Sequence, residues 1–564
     1  MRVRRPLTLV LALALLAPAG SAPAVDCAAR AQKLLGAMPL PDRVGQLLMA
    51  AVLPESEGKP SALTQRAITD LRVGSILATQ APDPATAAEH NNLLQSWASG
   101  QKAPLLIAAD FEYGTAHGIG RGTTAFPLQM AVAATRSPGD AATQARITAK
   151  EGLAMGYHWS LAPVADVNTN PRNPVIGTRS YGSRPSLVSE LTGAAVTAYR
   201  EAGMVASPKH FPGHGDTVVD SGVGLPKVGY SPKTLRQVHL APFRTAIEAG
   251  AEAIMAGHVV VEKVDAKRPA TLSATLLTGM LRQELGFGGL IVADDITKGA
   301  IANRWKPEKA APLAVKAGAD VVMVTGSYVD QEAAARGLRK AVKRGRISRE
   351  RIAASALRVL DLKCRYGLLD GTKVGIKAAE KRTGTGASRT AAAEIGKRSV
   401  VLLKNKGVLP MPKGGRVLVA GVGQVPMLAK LVRGVGKAKT ITFQGQGLAP
   451  TASEIANAKR LAKKVDRVVV ATYSRGSLPQ QQADLVEAIR STGTPMVAVA
   501  LGLPYDIASY PKVPAYLVAA TQGPWSNANP AVKSTVRAIY GASPSGKLPV
   551  KIPGLYPFGA GLTY

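Results

Sequence analysis

Acidic side chains are scarce in this chain. Asp and Glu number 37 against 70 Lys and Arg, a formal net charge of +33. The cations are spread along the whole length, with no zinc-finger spacing and no aromatic-interleaved basic strand. That pattern excludes a recognisable nucleic-acid reader and predicts a generally basic surface. An anionic cell-envelope polymer is its natural partner. Cysteine occurs only at Cys27 and Cys364, which excludes a thiolate metal cluster. There is no H-E-x-x-H, EF-hand loop, P-loop or G-x-S-x-G elbow. Gly421-Val422-Gly423 does not continue into a complete dinucleotide fingerprint. Neither a metal nor a cofactor is therefore expected. Beyond the N-terminus no uncharged apolar run is long enough to cross a bilayer.

The N-terminus itself has the pattern of a secretory signal. Arg2, Arg4 and Arg5 precede a short apolar core, Leu7 to Leu16, and Ala22-Pro23-Ala24 is an A-x-A cleavage site. Residues 1–24 are read as a signal peptide, and the protein as secreted or associated with the cell envelope. Cys27 lies near the cleavage point, but Asp26 is not the small residue that a lipid anchor requires. An even cysteine count in an exported chain points to a disulfide between Cys27 and Cys364.

At 564 residues the chain exceeds one ordinary core. Apolar runs of strand length recur from Leu47 to Thr325 and alternate with stretches of helical length. The runs are Leu47–Val52, Val73–Thr79, Leu105–Asp110, Trp159–Asp166, Val205–His210, Ala253–His258, Leu290–Asp295 and Asp320–Thr325. Such alternation predicts parallel α/β architecture, here a (β/α)8 barrel over 25–370, with a doubly wound open sheet as the rival. Residues 371–388, rich in Gly, Lys and Thr with little periodicity, are read as a linker. A smaller α/β sandwich domain is predicted over 389–564.

Several runs end in a charged or imidazole side chain: Asp110, Asp166, Lys209 with His210, His258, and Asp294 with Asp295. In a parallel barrel all these ends face one mouth. The densest stretch is Val205 to Val228, where a strand runs into a Gly/Pro-punctuated loop bearing His214, Asp216, Asp220 and Ser221. Carboxylates and imidazoles without a metal fit glycosidic chemistry, which needs one carboxylate at the anomeric carbon and a proton donor for the leaving oxygen.

Lys209-His210-Phe211-Pro212-Gly213-His214-Gly215-Asp216-Thr217 resembles the signature of glycoside hydrolase family 3, in the branch of bacterial β-N-acetylhexosaminidases. Asp110-Phe111-Glu112-Tyr113-Gly114, Arg179-Ser180-Tyr181-Gly182 and Val292-Ala293-Asp294-Asp295-Ile296 resemble further segments of the family in its order. Gly546-Lys547-Leu548-Pro549 and Tyr556-Pro557-Phe558-Gly559 resemble its second domain. The resemblance implies a retaining hydrolase with Asp294 as nucleophile. It implies that Asp110, Arg179, Lys209 and His210 hold the sugar, joined by His258 and Asp166, with Glu112 and Asp295 in supporting roles. The implied substrate is a glycan ending in N-acetylglucosamine.

The chain departs from that branch at one position. The mobile loop there carries Asp-Ser/Thr-His, whose His donates the proton; here it reads Asp220-Ser221-Gly222. Asp220 itself, His214 or Asp216 are the candidate substitutes. The second-domain loop at 474–482 offers no carboxylate. Alternative readings are a sugar-binding homologue with impaired turnover, a β-glucosidase-type hydrolase, and, more weakly, a phosphorylase or transglycosylase.

Overall fold

The structure is a computed structural model that describes residues 26–55, 58–78, 80–423, 425–521 and 529–564. The signal-peptide reading of residues 1–24 lies outside the described residues.

The first domain is built on parallel strands β1 (Leu48–Ala51), β2 (Ser75–Leu77), β3 (Leu106–Ala109), β4 (Trp159–Ser160), β5 (Val205–Ala206) and β6 (Lys209–Phe211), followed by β8 (Ala253–Ala256), β10 (Leu290–Ala293) and β11 (Val321–Val324). A small parallel pair beside them joins β7 (Lys227–Val228) to β9 (Val260–Val261). The main sheet runs β5-β4-β3-β2-β1-β11-β10-β8-β6. Only Ser207 and Pro208 separate β5 from β6. The two ends of the order are thus halves of one strand, the nine segments occupy eight positions, and the sheet closes on itself. Pro208 interrupts the ladder because it has no N–H to donate. Its carbonyl still accepts from the Met255 N–H at 3.0 Å.

Alternation along each strand sorts the core into an inside and an outside. Leu290, Val292, Val321 and Met323 join Leu106 and Trp159 in the barrel interior. Ile291, Val322 and Val324 face the outer helices. Both faces are buried, so these strands read as continuous apolar runs. Each such aliphatic side chain contributes roughly 1.5–3 kcal/mol on burial. The run predicted as Trp159–Asp166 pairs regularly only at β4. Beyond it, one bridge joins Val164 to Lys209, and Pro163 again lacks the donor a ladder needs.

Helices fill the intervals. Pro138–Ala154, Pro185–Glu201 and Pro307–Ala317 are among them. The last barrel helix, Arg349–Arg365, packs on the first helix, Cys27–Gly36, and Cys27 is disulfide-bonded to Cys364 with Cα atoms 5.5 Å apart.

The connection at 371–388 is anchored to the barrel rather than free. It contains the helix Ile376–Arg382, and Asn92 exchanges hydrogen bonds with the Val374 backbone. The Gly384 N–H donates to buried Glu151 at 2.8 Å. That carboxylate also accepts from Thr115 and from Thr124, side chain and backbone. The sparse apolar content of the segment hid a helix that needs only Ala379 buried.

The second domain is a six-stranded sheet comprising β12 (Val401–Asn405), β13 (Arg416–Gly421), β14 (Lys439–Gln444), β15 (Arg467–Thr472), β16 (Met496–Ala500) and β17 (Ala515–Val518). Its order is β12-β17-β16-β15-β13-β14, parallel except for the antiparallel β12–β17 edge pair. Val417, Val419 and Val469 pack on one face, and Leu418, Ala420 and Val468 on the other. The second group shares a core with Met130, Ala131 and Ala134 of the barrel domain. Phe558 is held between the guanidiniums of Arg136 and Arg184, each 4.0 Å from the ring centroid. Buried apolar contact and these cation–π pairs together fix the second domain beside the barrel mouth.

Candidate active site

Every strand-end residue named from sequence stands at the C-terminal mouth of the barrel. Asp294 follows β10, and its N–H donates to the Ala256 carbonyl at 3.1 Å. One carboxylate oxygen accepts from the Asp295 N–H at 2.7 Å. Burial pushes this carboxyl up, but the imidazoles of His258 and His210, that N–H and Lys209 bring it net below its ordinary value. Asp294 is therefore an anion at neutral pH.

The wall across from it is a charge cluster. The Lys209 ammonium contacts Asp110 at 2.6 Å and Glu112 at 2.8 Å. Arg179 grips Glu112 with a bidentate pair, at 2.9 and 2.7 Å. Burial alone would raise the Glu112 carboxyl, but Arg179 and Lys209 hold it well below the usual range. Glu112 is 7% exposed while Asp110 opens into the cavity. Alternation after β3 puts both acids on one side, where Glu112 sets the positions of Lys209 and Arg179.

Asp166, fully buried, organises the imidazole side. It accepts from His210 Nδ1 at 2.7 Å and from the His214 N–H at 2.6 Å. A carboxylate at Nδ1 places the ring proton there and leaves Nε2, on a residue lining the cavity, as the acceptor. Burial would raise the Asp166 carboxyl, but His210 and His214 keep it low. Asp166 thus orients a cavity-facing group and is too deep to reach the cavity itself.

His258 departs from its implied role. Its Nε2 donates to the Asp295 carbonyl and its Nδ1 accepts from Thr271, each at 2.9 Å. With both nitrogens engaged and 1% exposure, it has nothing to offer a ligand. It braces the turn after Asp294, as does Asp295, which accepts from Thr297 and Thr325.

The cavity over Asp294 holds about 390 Å³ and is bounded by Asp110, Arg179, Lys209, His210, Ser221 and Gly222. It adjoins a chamber of about 280 Å³ bounded by Asp110, Arg179 and Asp220, and by Ser474, Arg475 and Leu503 of the second domain.

The loop over this cavity is shaped by close backbone approaches. A side chain at Gly215 would meet the Val167 carbonyl at 1.9 Å, so only glycine fits there. The Ser221 and Gly222 carbonyls each accept at 3.1 Å, from the Ala300 and Gly299 N–H groups respectively. Gly299 leaves room for that contact, since a Cβ would lie 2.4 Å from the Val223 carbonyl. Asp220 accepts the Gly222 N–H at 2.7 Å. The loop thus delivers a carboxylate to the wall of the adjoining chamber and, over Asp294, a residue with no side chain.

The other substitute donors fare worse. His214 is pushed down to about 4, mainly by burial and then by His210, so it is neutral at pH 7. Its Nδ1 pairs with Thr217 at 2.7 Å. Asp216 accepts from Thr169 at 2.8 Å and lines neither chamber. Sequence reasoning missed the second domain's contribution. The Ser474 hydroxyl donates at 2.5 Å to buried Asp506, whose carboxyl burial pushes up to about 6. Asp506 lies outside the 474–482 loop in sequence, and only the sheet order brings it beneath Ser474.

Comparison with known proteins agrees with this geometry along the chain. The profile of the glycosyl hydrolase family 3 N terminal domain matches residues 39–362, and that of the family's C-terminal domain matches 400–564. Beta-hexosaminidase A of Pseudoalteromonas piscicida is 33% identical over 351 residues, covering 58% of each chain. A beta-N-acetylglucosaminidase/beta-glucosidase of Cellulomonas fimi is 30% identical over 354 residues, covering 61% of each. The chain thus spans about three fifths of the length of these curated relatives. A solved family 3 β-N-acetylglucosaminidase from Paenibacillus sp. str. FPU-7 superposes with a TM-score of 0.84 at 33% identity, over 91% of this chain and 99% of that one. With both domains matched and the strand-end carboxylates in place, the chain belongs to glycosyl hydrolase family 3.

Proposed function

We propose that the protein is an exported, configuration-retaining glycosidase that removes terminal β-linked N-acetylhexosamine from cell-wall or chitin-type glycans. One observation carries this reading. A half-buried, ionised Asp294 faces a cavity whose polar walls are Asp110, Arg179, Lys209 and His210. A pyranose presents several hydroxyls, which need both acceptors and charged donors at fixed positions. Asp294 attacks the anomeric carbon and forms a glycosyl ester as the glycosidic C–O bond breaks. The leaving oxygen takes the proton of Asp220 in its carboxylic-acid form, from the wall of the adjoining chamber. Water then cleaves the ester, and two inversions retain the configuration. The names of the Pseudoalteromonas and Paenibacillus relatives support N-acetylhexosamine as the sugar.

The test uses 4-nitrophenyl β-N-acetylglucosaminide, the matching β-glucoside and N,N′-diacetylchitobiose. Turnover of the first and third, abolished in Asp294→Ala, supports the reading. A preference for the glucoside moves the substrate class. A glycosyl adduct on Asp294 in acid-quenched protein identifies the nucleophile.

A second reading is favoured by Gly222, which lines the cavity where the resembling branch has its donor. In that reading the protein binds the sugar and turns it over poorly. Calorimetric binding of N-acetylglucosamine with no turnover of any substrate selects it.

A further inference from the structure

A groove on the outer wall of the barrel lies apart from the mouth. It runs between the helices Pro307–Ala317 and Tyr328–Lys343 and encloses about 810 Å³. Its floor is apolar, with Trp305, Pro312, Leu313 and Ile347. Its rim carries Arg304, Lys306, Lys309, Lys316, Arg344 and Arg346. All six cations are exposed, and none pairs with a carboxylate among the described residues. Glu308 is the single acid in the lining, and Lys340 and Arg336 already hold it, at 3.3 and 3.8 Å.

The two helices come close because Gly337 has no side chain. A Cβ there would lie 2.1 Å from the Glu308 carbonyl. That approach makes the trough, and cations from both helices and their flanking turns then crowd its edges. Crowding like charges in this way costs free energy unless an anion neutralises them.

We propose that this groove binds a strand of acidic polysaccharide, with carboxylates on the rim cations and sugar rings over the apolar floor. Three observations select that occupant. Charge complementarity requires a polyanion, and a second copy of a +33 chain is repelled. The site is a trough, which one polymer strand can enter and a bilayer surface cannot. The floor offers an indole and aliphatic faces, which suit the apolar faces of pyranose rings. Arg304 lies 5.0 Å from the Trp305 ring and supplies a cation at the floor's edge. The groove would hold the enzyme on a polymer while the mouth remains open.

The test measures binding of polygalacturonate oligomers to the full chain by calorimetry at 50 and 200 mM salt, with neutral maltohexaose as control. Wild type binds the acidic oligomer, more weakly at higher salt as screening increases, and does not bind the neutral one. The triple variant Lys309→Glu, Arg344→Glu, Arg346→Glu loses affinity by about ten-fold or more, as charge reversal on the rim demands. The triple reversal Lys373→Glu, Lys377→Glu, Lys430→Glu changes net charge equally on other exposed positions and retains most of the binding. Trp305→Ala weakens binding, with a smaller salt effect on the difference. Hydrolysis of a small aryl glycoside is unchanged in all three variants. Equal losses in the two triple variants would falsify the site. Tighter binding to duplex DNA or to phosphatidylglycerol vesicles, abolished by the groove variant, overturns the polysaccharide assignment.

Discussion

The two halves of the catalytic mouth are built by different means. The half around Asp294 is fixed by buried side chains: Glu112 between two cations, Asp166 between the His210 imidazole and the His214 N–H, His258 wedged under the Asp295 carbonyl. The half contributed by residues 218–224 of the loop is held chiefly through its backbone. Its carbonyls rest on the N–H groups of Gly299 and Ala300, while Val218 and Val223 stand 64% and 75% exposed. The groups that hold charge are over-determined, and the segment proposed to supply the proton donor is loosely dressed. Precision is concentrated where charge develops, which is where preorganisation contributes most to rate.

That contrast can be broken most severely at Asp294, the proposed nucleophile. Asp294→Ala is expected to lower kcat by about 10⁵-fold, the scale of losing a covalent catalyst. Circular dichroism should be unchanged, because the side chain supports little of the core. A loss under ten-fold would move the nucleophile elsewhere.

Glu112→Gln attacks the rigid half through its support. It leaves Lys209 and Arg179 without their shared anion in a buried site. Urea unfolding should report a stability loss of about 3–5 kcal/mol. KM should rise with it, because both cations lose their positions. An equal change from mutating an exposed pair such as Arg66–Asp70 would deny the distinction.

Gly222→His completes the loose half. A Cβ at 222 meets only the Asp220 carboxyl, 3.1 Å from Oδ1, so a side chain can start there after a small shift of Asp220. The rate on a disaccharide should rise by about 10²-fold, the lower end of general-acid assistance. Aryl glycosides, whose leaving groups need little protonation, should gain less. No gain on either substrate would mean that Asp220 alone already supplies the full general-acid assistance.

The smallest effect concerns the second domain's edge of the mouth. The Asp506 carboxyl is pushed up to about 6 by burial. A carboxyl raised in the folded state is most favourable when protonated. Its contribution is therefore full below the unfolded value near 3.9 and is lost as pH rises toward 6, on the order of 2–3 kcal/mol. Asp506→Asn should flatten that part of the stability curve between pH 4 and pH 7. An unchanged slope would mean that Asp506 titrates normally.

The barrel was legible from sequence because its strands are buried on both faces. Runs such as Leu290 to Ala293 carry no polar residue to blur them. Asp110, Lys209, His210 and Asp294 were legible because each ends such a run. The rest depends on contacts between distant segments. Nothing near His258 announces that Asp295 and Thr271 occupy both its nitrogens. Glu112 gave only a spacing, and the fold supplied the two cations that make it structural. Asp506 is invisible from its neighbours, because the crossover order of β15 and β16 brings it under Ser474. The helix at 376–382 was hidden for a different reason: one buried alanine is too little periodicity to read.

The Cys27–Cys364 bond joins the first helix of the barrel domain to its last, 337 residues along the chain. Consider a pull applied to residue 26 and resisted at the second domain. Without the bond, tension would pass through every strand in turn. With it, force enters at Cys27, crosses directly to Cys364 and leaves through the 371–388 segment. The barrel is then a loop hanging off the loaded path, shielded from shear.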